Sequence, residues 1–177
     1  MLRLYTLLFI PLVFLGGALL SASPLGPTSA AQAAEKKDLG IQWVPYDQAL
    51  ILAKRQKLPI YIQFHANWCA YCKKLEKESY SKPAIQKVLK SQFIPVRLTE
   101  GDKQQFTVDG KTVSVNDLFA KYQVTGFPTL VFLTADGKAL GKTPGYVAPE
   151  PFETLLDFVA SESFKKMSFE AYQKQRK

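Results

Sequence analysis

The chain has 177 residues, 47% of them hydrophobic and 12% aromatic, which suits one compact domain and argues against a disordered chain. One His and two Cys exclude a multi-histidine zinc centre and a Cys₄ metal site within the chain, but allow one disulfide. The net charge of +8 comes from 23 basic and 15 acidic residues. Because the basic residues are scattered rather than clustered with stacking aromatics, we expect no nucleic acid partner.

The N-terminal segment has the layout of a secretory signal. Arg3 precedes an uncharged apolar run over residues 4–20, and Ala31 and Ala33 are small residues suited to a cleavage site. We therefore predict a cleavable signal peptide over residues 1–33. The alternative is an uncleaved N-terminal anchor, because the run is near the shortest length that spans a bilayer. Both alternatives predict a periplasmic domain, in a compartment where a disulfide persists.

Apolar periodicity, β-branched content and turn residues predict the elements of the remaining chain. In chain order they are a helix over 43–57, a strand over 60–66, helices over 69–80 and 84–91, a strand over 93–98, a hairpin over 106–113, a helix from Ser114, strands over 129–134 and 139–142, and helices over 149–161 and 168–173. The pair Asp109-Gly110 favours the hairpin turn, and Asp117 is a capping-box partner for Ser114.

This order of elements predicts an α/β fold with a central mixed sheet flanked by helices. The β-α-β unit comes first, and a hairpin and a closing helix follow. We expect a polar, flexible linker over residues 34–40, the folded domain over residues 41–162, and a C-terminal extension over residues 163–177.

The motif that carries chemistry is Cys69-Ala70-Tyr71-Cys72, between a buried strand and the start of a helix. The free N–H groups and positive dipole end of a first helical turn stabilise a thiolate, so Cys69 is the predicted attacking thiol. Cys72 lies one turn further and is predicted to be more buried. We expect the neighbouring Trp68 and the helix start to leave the first sulfur exposed, and Lys73 adds positive charge nearby.

Two other interpretations of the cysteine pair remain open. An inert structural disulfide is one, although so short a loop removes little entropy from the unfolded chain. Metal capture by the dithiol is the other, and it needs further ligands, of which His65 is the only imidazole. His65 itself is either a satisfied strand residue or a group that tunes the site. We predict a redox-active pair, with no metal and no cofactor.

Two segments resemble the signatures of thioredoxin-fold proteins. Residues 64–73, Phe-His-Ala-Asn-Trp-Cys-Ala-Tyr-Cys-Lys, are similar to the active-site strand–turn–helix of that family. Residues 124–129, Val-Thr-Gly-Phe-Pro-Thr, are similar to its second signature. The resemblance covers about residues 41–162 and implies a thioredoxin fold, with an inserted hairpin and a C-terminal helical tail.

The resemblance assigns roles to individual residues. Cys69 matches the nucleophile, Cys72 the resolving thiol, and Trp68 the tryptophan beside the site. Pro128 matches the proline that is cis in the family and faces the two cysteines. Its neighbour Phe127 then lies on a backbone edge with which a substrate strand pairs. Together with the dipeptide Ala70-Tyr71, these residues form the expected substrate groove.

Two departures from the thioredoxin pattern affect proton transfer and the redox potential at the cysteine pair. Gln63 occupies the position of the buried Asp that handles the proton of the resolving thiol, and a glutamine cannot act as a general base. Arg97 matches the basic residue of the next strand and, lacking an acid at position 63, is expected to pair elsewhere or to face solvent, with Glu100 as a candidate partner. The dipeptide Ala70-Tyr71 replaces Gly-Pro, and such a change alters the redox potential.

The insertion over residues 99–113 and the tail exceed a minimal thioredoxin. The predicted export, the Lys/Glu-rich active-site helix interrupted by Ser81-Lys82-Pro83, and the tail look most like periplasmic thioredoxins associated with sulfur oxidation. Over a shorter stretch the chain is also similar to the C-terminal domain of the bacterial transmembrane disulfide reductase. This resemblance implies a periplasmic thiol–disulfide reductase, monomeric, which acts on disulfide-bearing periplasmic proteins and is reset by a membrane thiol reductase. The alternatives are a disulfide oxidase or isomerase, and a metal-binding or peptide-binding module.

Overall fold

The computed structural model describes residues 40–176, and the predicted signal peptide and nearly all of the linker lie outside the described residues. The helices are α1 (Tyr46–Gln56), α2 (Ala70–Leu75), α3 (Pro83–Gln92), α4 (Val115–Lys121), α5 (Pro149–Ala160) and α6 (Phe169–Gln175). A π-helical segment (Glu76–Tyr80) continues α2, and a 3₁₀ turn (Ser163–Lys165) precedes α6. The strands are β1 (Ile60–His65), β2 (Ile94–Thr99), β3 (Gln105–Val108), β4 (Lys111–Ser114), β5 (Thr129–Leu133) and β6 (Ala139–Pro144).

Four strands form a mixed sheet in the order β2-β1-β5-β6. Strand β1 is parallel to β2 and antiparallel to β5, and β6 is antiparallel to β5. Helices lie on both faces of this sheet, so the predicted α/β architecture is confirmed. Among the described residues, no helix has the length and apolar character needed to cross a membrane.

The central strands alternate between two hydrophobic cores. In β1, Ile60, Ile62 and Phe64 pack with α1 and α4 on one face, and Tyr61 packs with α3 and α5 on the other. Strand β5 follows the same alternation, since Leu130 joins the core that contains Tyr61. Side chains alternate with a period of two along a strand, so a strand buried on both faces reads as a continuous apolar run.

The predicted hairpin forms strands β3 and β4. Asp109 and Gly110 have φ values of 50° and 74°, which a two-residue turn of this kind requires at both positions. Phe106 packs against Tyr46 of α1, with ring centroids 5.9 Å apart. The capping box at the start of α4 is also present, as predicted from Ser114 and Asp117.

Two helices differ from their predicted bounds by more than two residues at one end. Helix α1 begins at Tyr46 rather than at residue 43, because the Val44 N–H donates to the Pro95 carbonyl at 2.9 Å and keeps the chain extended beside β2. The helix predicted over residues 69–80 is α-helical only to Leu75 and then becomes π-helical.

The C-terminal extension packs against α5. Phe158 contacts the rings of Phe164, Phe169 and Tyr172, with centroids 5.2 to 6.4 Å apart. Arg176 also pairs with Asp157. The residues after α5 therefore add a layer of aromatic contacts to the outer side of that helix.

Two buried tyrosines make stability sensitive to alkaline pH. The hydroxyls of Tyr61 and Tyr80 lie 2.6 Å apart, and burial raises the pKa of both phenols above the usual 10.0. Above pH 10 these phenols ionise only in the unfolded chain, so the free energy of unfolding should fall by up to about 1.4 kcal/mol per pH unit for each tyrosine. Urea unfolding between pH 8 and pH 11 measures this slope.

The double variant Tyr61→Phe/Tyr80→Phe should weaken that dependence, whereas Tyr71→Phe at an exposed position should leave it unchanged. If the free energy of unfolding fell equally with pH in the double variant and in the parent protein, Tyr61 and Tyr80 would not be the source of the pH dependence.

Candidate active site

The cysteine pair lies where strand β1 passes into helix α2. All six residues of β1 are buried, so the end of this strand is fixed by packing on both faces. The turn that follows is closed by a hydrogen bond from the Cys69 N–H to the Ala66 carbonyl at 3.0 Å. Cys69 then occupies the N-cap of α2 with an extended backbone, and its side chain faces the first turn.

Cys69 and Cys72 form a disulfide, with 5.3 Å between their Cα atoms. The Cys72 N–H donates to the Cys69 sulfur at 3.0 Å, which is the helix-start contact expected to stabilise a thiolate. Cys72 is fully buried, as predicted. Cys69 is only 3% exposed, so the expectation of an exposed first sulfur is wrong for this oxidised form; Ala66 and Phe127 pack around the pair.

Aromatic side chains surround the disulfide at the surface. Trp68 is 70% exposed and Tyr71 is 60% exposed, and Ala70 between the two cysteines is exposed as well. The rings of Trp68 and Phe127 meet edge to face, with centroids 5.7 Å apart. The Trp68 indole N–H donates to the Glu100 carboxylate at 2.7 Å, which fixes the ring although it faces solvent.

The second signature segment lies against the cysteine pair through Phe127. The Phe127–Pro128 peptide bond is cis, and Pro128 is buried. The Pro128 carbonyl accepts a hydrogen bond from the Gly145 N–H at 2.7 Å, and the Thr129 hydroxyl donates to the Gly126 carbonyl at 2.7 Å. These bonds hold the segment in place immediately before β5.

Gln63 and Arg97 are neighbours in the parallel register of β1 and β2. The Arg97 Nε donates to the Gln63 Oε1 at 2.9 Å, and the guanidinium stacks on the Trp43 ring at 4.3 Å. Its Nη2 forms an ion pair with Glu76 at 2.8 Å, although the N–H bonds do not align for a hydrogen bond. Arg97 therefore pairs with Glu76 rather than with Glu100.

The roles of Glu76 as the partner of Arg97 and of Glu100 as the partner of Trp68 were not predicted from the sequence. Glu76 lies four residues after Cys72, a spacing that places the two on the same side of a helix, so this spacing could have indicated its inward position. Glu100 directly follows β2, which ends beside the end of β1, and its own N–H donates to the His65 carbonyl at 2.8 Å. Topology, rather than sequence spacing, brings Glu100 to Trp68.

His65 and Lys73 differ in exposure. His65 is 8% exposed and ends β1, and Lys73 is exposed on the outer side of α2. Within residues 40–176, no group of three or more His, Cys, Asp or Glu side chains is arranged to hold a metal ion.

A disulfide at the N-cap of a helix, reached from the central strand of a mixed sheet, is the redox centre of thiol–disulfide oxidoreductases on a thioredoxin fold. A family model described as a thioredoxin-like domain matches residues 46–160. Since this match spans well over half of the chain, the protein belongs to the thioredoxin-like family.

Individual relatives agree with this assignment. The thiol:disulfide interchange protein DsbD of Pectobacterium atrosepticum is 30% identical over 158 residues, which are 83% of this chain and 25% of that protein. The chain thus spans a quarter or less of the length of the curated relatives it matches first.

Two solved structures share the fold. A thioredoxin from Thermus thermophilus has a TM-score of 0.55 and 26% identity, over 68% of this chain and 87% of that chain. A thioredoxin-fold protein from Helicobacter pylori has a TM-score of 0.62 and 20% identity, over 68% of this chain and 84% of that chain.

Neutralising Glu76 should destabilise the fold. In Glu76→Gln the guanidinium of Arg97, whose side chain is 13% exposed, loses its counter-ion. We expect the free energy of unfolding to fall by about 1–3 kcal/mol, measured by urea denaturation of the oxidised protein. As a control, Glu162→Gln breaks the exposed pair with Lys165 and should have little effect. Equal losses of unfolding free energy in the two variants would show that the Arg97–Glu76 pair stabilises the fold no more than an exposed ion pair does.

Proposed function

We propose that this protein is a thiol–disulfide oxidoreductase that reduces the disulfides of partner proteins. The Cys69–Cys72 disulfide at the start of α2 supports the redox chemistry. The thioredoxin-like family match and the similarity to a thiol:disulfide interchange protein support the class of reaction.

The two cysteines have different roles in the proposed reaction. In the reduced protein, the Cys69 thiolate attacks one sulfur of a partner disulfide, which forms a mixed disulfide and releases the first partner thiol. The Cys72 thiolate then attacks the Cys69 sulfur, which restores the Cys69–Cys72 disulfide and releases the second partner thiol. Two electrons and two protons pass to the partner, and the protein ends oxidised.

Burial of both cysteines is the observation that carries the direction of electron flow. Cys69 is 3% exposed and Cys72 is fully buried, in a cluster with Ala66 and Phe127. Burial disfavours the charged thiolate of Cys72 most, since the helix-start contact from the Cys72 N–H stabilises only a thiolate at Cys69. Strong oxidants in this class depend on a stabilised reduced form, so a site that gives the thiolate an apolar setting favours a reductant.

The surrounding residues divide into a groove and a tuning set. Phe127 packs against the disulfide, Trp68 contacts Phe127, and Ala70 and Tyr71 are exposed between the cysteines; with Pro128 we assign these residues to the substrate groove. The tuning set comprises Gln63, His65, Lys73 and Arg97. Of these, Gln63 and Arg97 are in contact at 2.9 Å. Gln63 provides a neutral amide and Arg97 a permanent cation, so this pair offers no group that accepts or releases a proton.

The sequence of residues 1–33 supports export of the protein. We propose a periplasmic protein, with the signal peptide removed or retained as an anchor, that acts as a monomer on disulfide-bearing proteins. After each cycle a membrane thiol reductase returns two electrons to the Cys69–Cys72 disulfide.

The reduction potential of the cysteine pair tests the direction. We expect a value near or below roughly −230 mV, as in thioredoxin-like reductants. The full chain would be equilibrated in dithiothreitol or glutathione buffers, and the reduced fraction counted by alkylation of its two cysteines. A potential above roughly −160 mV would place the protein with the oxidants and isomerases and would overturn the direction. Absence of a reversible two-electron transition would refute the redox function itself.

Single cysteine variants test the order of attack. Cys72→Ser should accumulate mixed disulfides with partner proteins, because the resolving thiol is absent. Cys69→Ser should accumulate far fewer, because Cys72 lies on the inner side of α2 with no exposed surface, whereas Cys69 lies at the N-cap, at the edge of the helix. Non-reducing gels of periplasmic extracts from cells that carry each variant give the comparison. Equal trapping by the two variants would show that the attacking and resolving thiols are wrongly assigned.

A further inference from the structure

Three lysines form an exposed row directly after the cysteine pair. Lys73 and Lys74 lie on α2, and Lys77 lies in the π-helical segment that continues it. All three residues are exposed, whereas Cys72 and Leu75 on the inner side of α2 are buried. We call these three residues the lysine row.

The acidic residues of the same segment do not neutralise the lysine row. Glu76 pairs with Arg97 at 2.8 Å, and Glu78 accepts a hydrogen bond from the Tyr146 hydroxyl, which raises the pKa of Tyr146. Within residues 40–176, no carboxylate forms an ion pair with a lysine of the row, and Lys74 stacks over the Tyr146 ring at 4.6 Å. Glu78 keeps its negative charge near Lys74, but three lysines against this one carboxylate leave the outer side of the helix with a net positive charge.

The lysine row is close enough to the disulfide to act on a partner bound there. With a rise of 1.5 Å per residue, its members lie about 6 to 12 Å along the helix from Cys69. The screening length at physiological ionic strength is about 8 Å, so the nearer lysines act on charges that flank a sulfur at Cys69. Toward Trp68 the nearest charge is negative, because the Glu100 carboxylate is held at 2.7 Å from the indole nitrogen.

We propose that the lysine row is a docking surface for a partner protein whose disulfide is flanked by an acidic segment. Opposite charges raise the rate of encounter and orient the partner, with its acidic segment over α2 and away from Glu100. The proposal rests on the proposed function, since docking leads to exchange only if Cys69 attacks the partner disulfide.

Two disulfide peptides that differ only in charge test the proposal. Four residues beside one cysteine are Glu in the acidic peptide and Gln in the neutral one. Second-order rate constants with the reduced full chain give an acidic-to-neutral ratio, which we expect to be about ten at low salt and to fall toward one at high salt. The variant Lys73→Glu/Lys74→Glu/Lys77→Glu should bring this ratio below one.

The matched control is Lys54→Glu/Lys87→Glu/Lys90→Glu, which makes the same change in net charge at exposed positions of α1 and α3. It should keep a ratio well above that of the lysine-row variant. Because the ratio compares two substrates of one protein, a change in the reactivity of Cys69 cancels. Equal ratios in the two triple variants would overturn the docking proposal alone, whereas failure to reduce either peptide would overturn the proposed function with it.

Discussion

Burial of strand β1 on both faces is the constraint on which the rest of the structure depends. Its six residues are all buried, with Ile62 and Phe64 in one core and Tyr61 in the other. A shift of one residue would exchange the two sets of side chains, so the register with β2 and β5 is strongly fixed. The position of Cys69 is fixed with it, because only a short hydrogen-bonded turn separates β1 from α2. The site is thus built on a rigid strand rather than on a loop.

Because β1 is buried, the charge of Arg97 on the neighbouring strand β2 needs a counter-ion within the fold. Arg97 lies beside β1 in the sheet, and its neighbour Gln63 offers one oxygen but no negative charge. The counter-ion comes instead from Glu76, which directly follows α2. The helix that carries Cys72 is therefore tied to the sheet by an ion pair as well as by packing. This tie does not pass through the disulfide, so the C-terminal end of α2 keeps its contact with the sheet when the two sulfur atoms separate.

Local sequence signals predicted the elements that depend on nearby residues. The apolar run of β1, the turn at Asp109-Gly110 and the capping box at Ser114 are such signals, and all three are present. Contacts between distant segments were beyond the sequence alone. The partner of Arg97 was one of these, since Glu100 is much nearer to Arg97 along the chain than Glu76 is, and only the packing of α2 brings Glu76 to the guanidinium. The burial of Cys69 also depends on a distant residue, Phe127.

The π-helical segment Glu76–Tyr80 has a consequence for how relatives are aligned. A π turn accommodates one residue more than an α turn, and here both Ser79 and Tyr80 are buried after Leu75. A relative with a regular α-helix at this place would have one residue fewer, so a correct alignment needs a gap between Leu75 and Pro83. The extra residue thus marks the point where the helix of the redox site is adapted to the core beneath it.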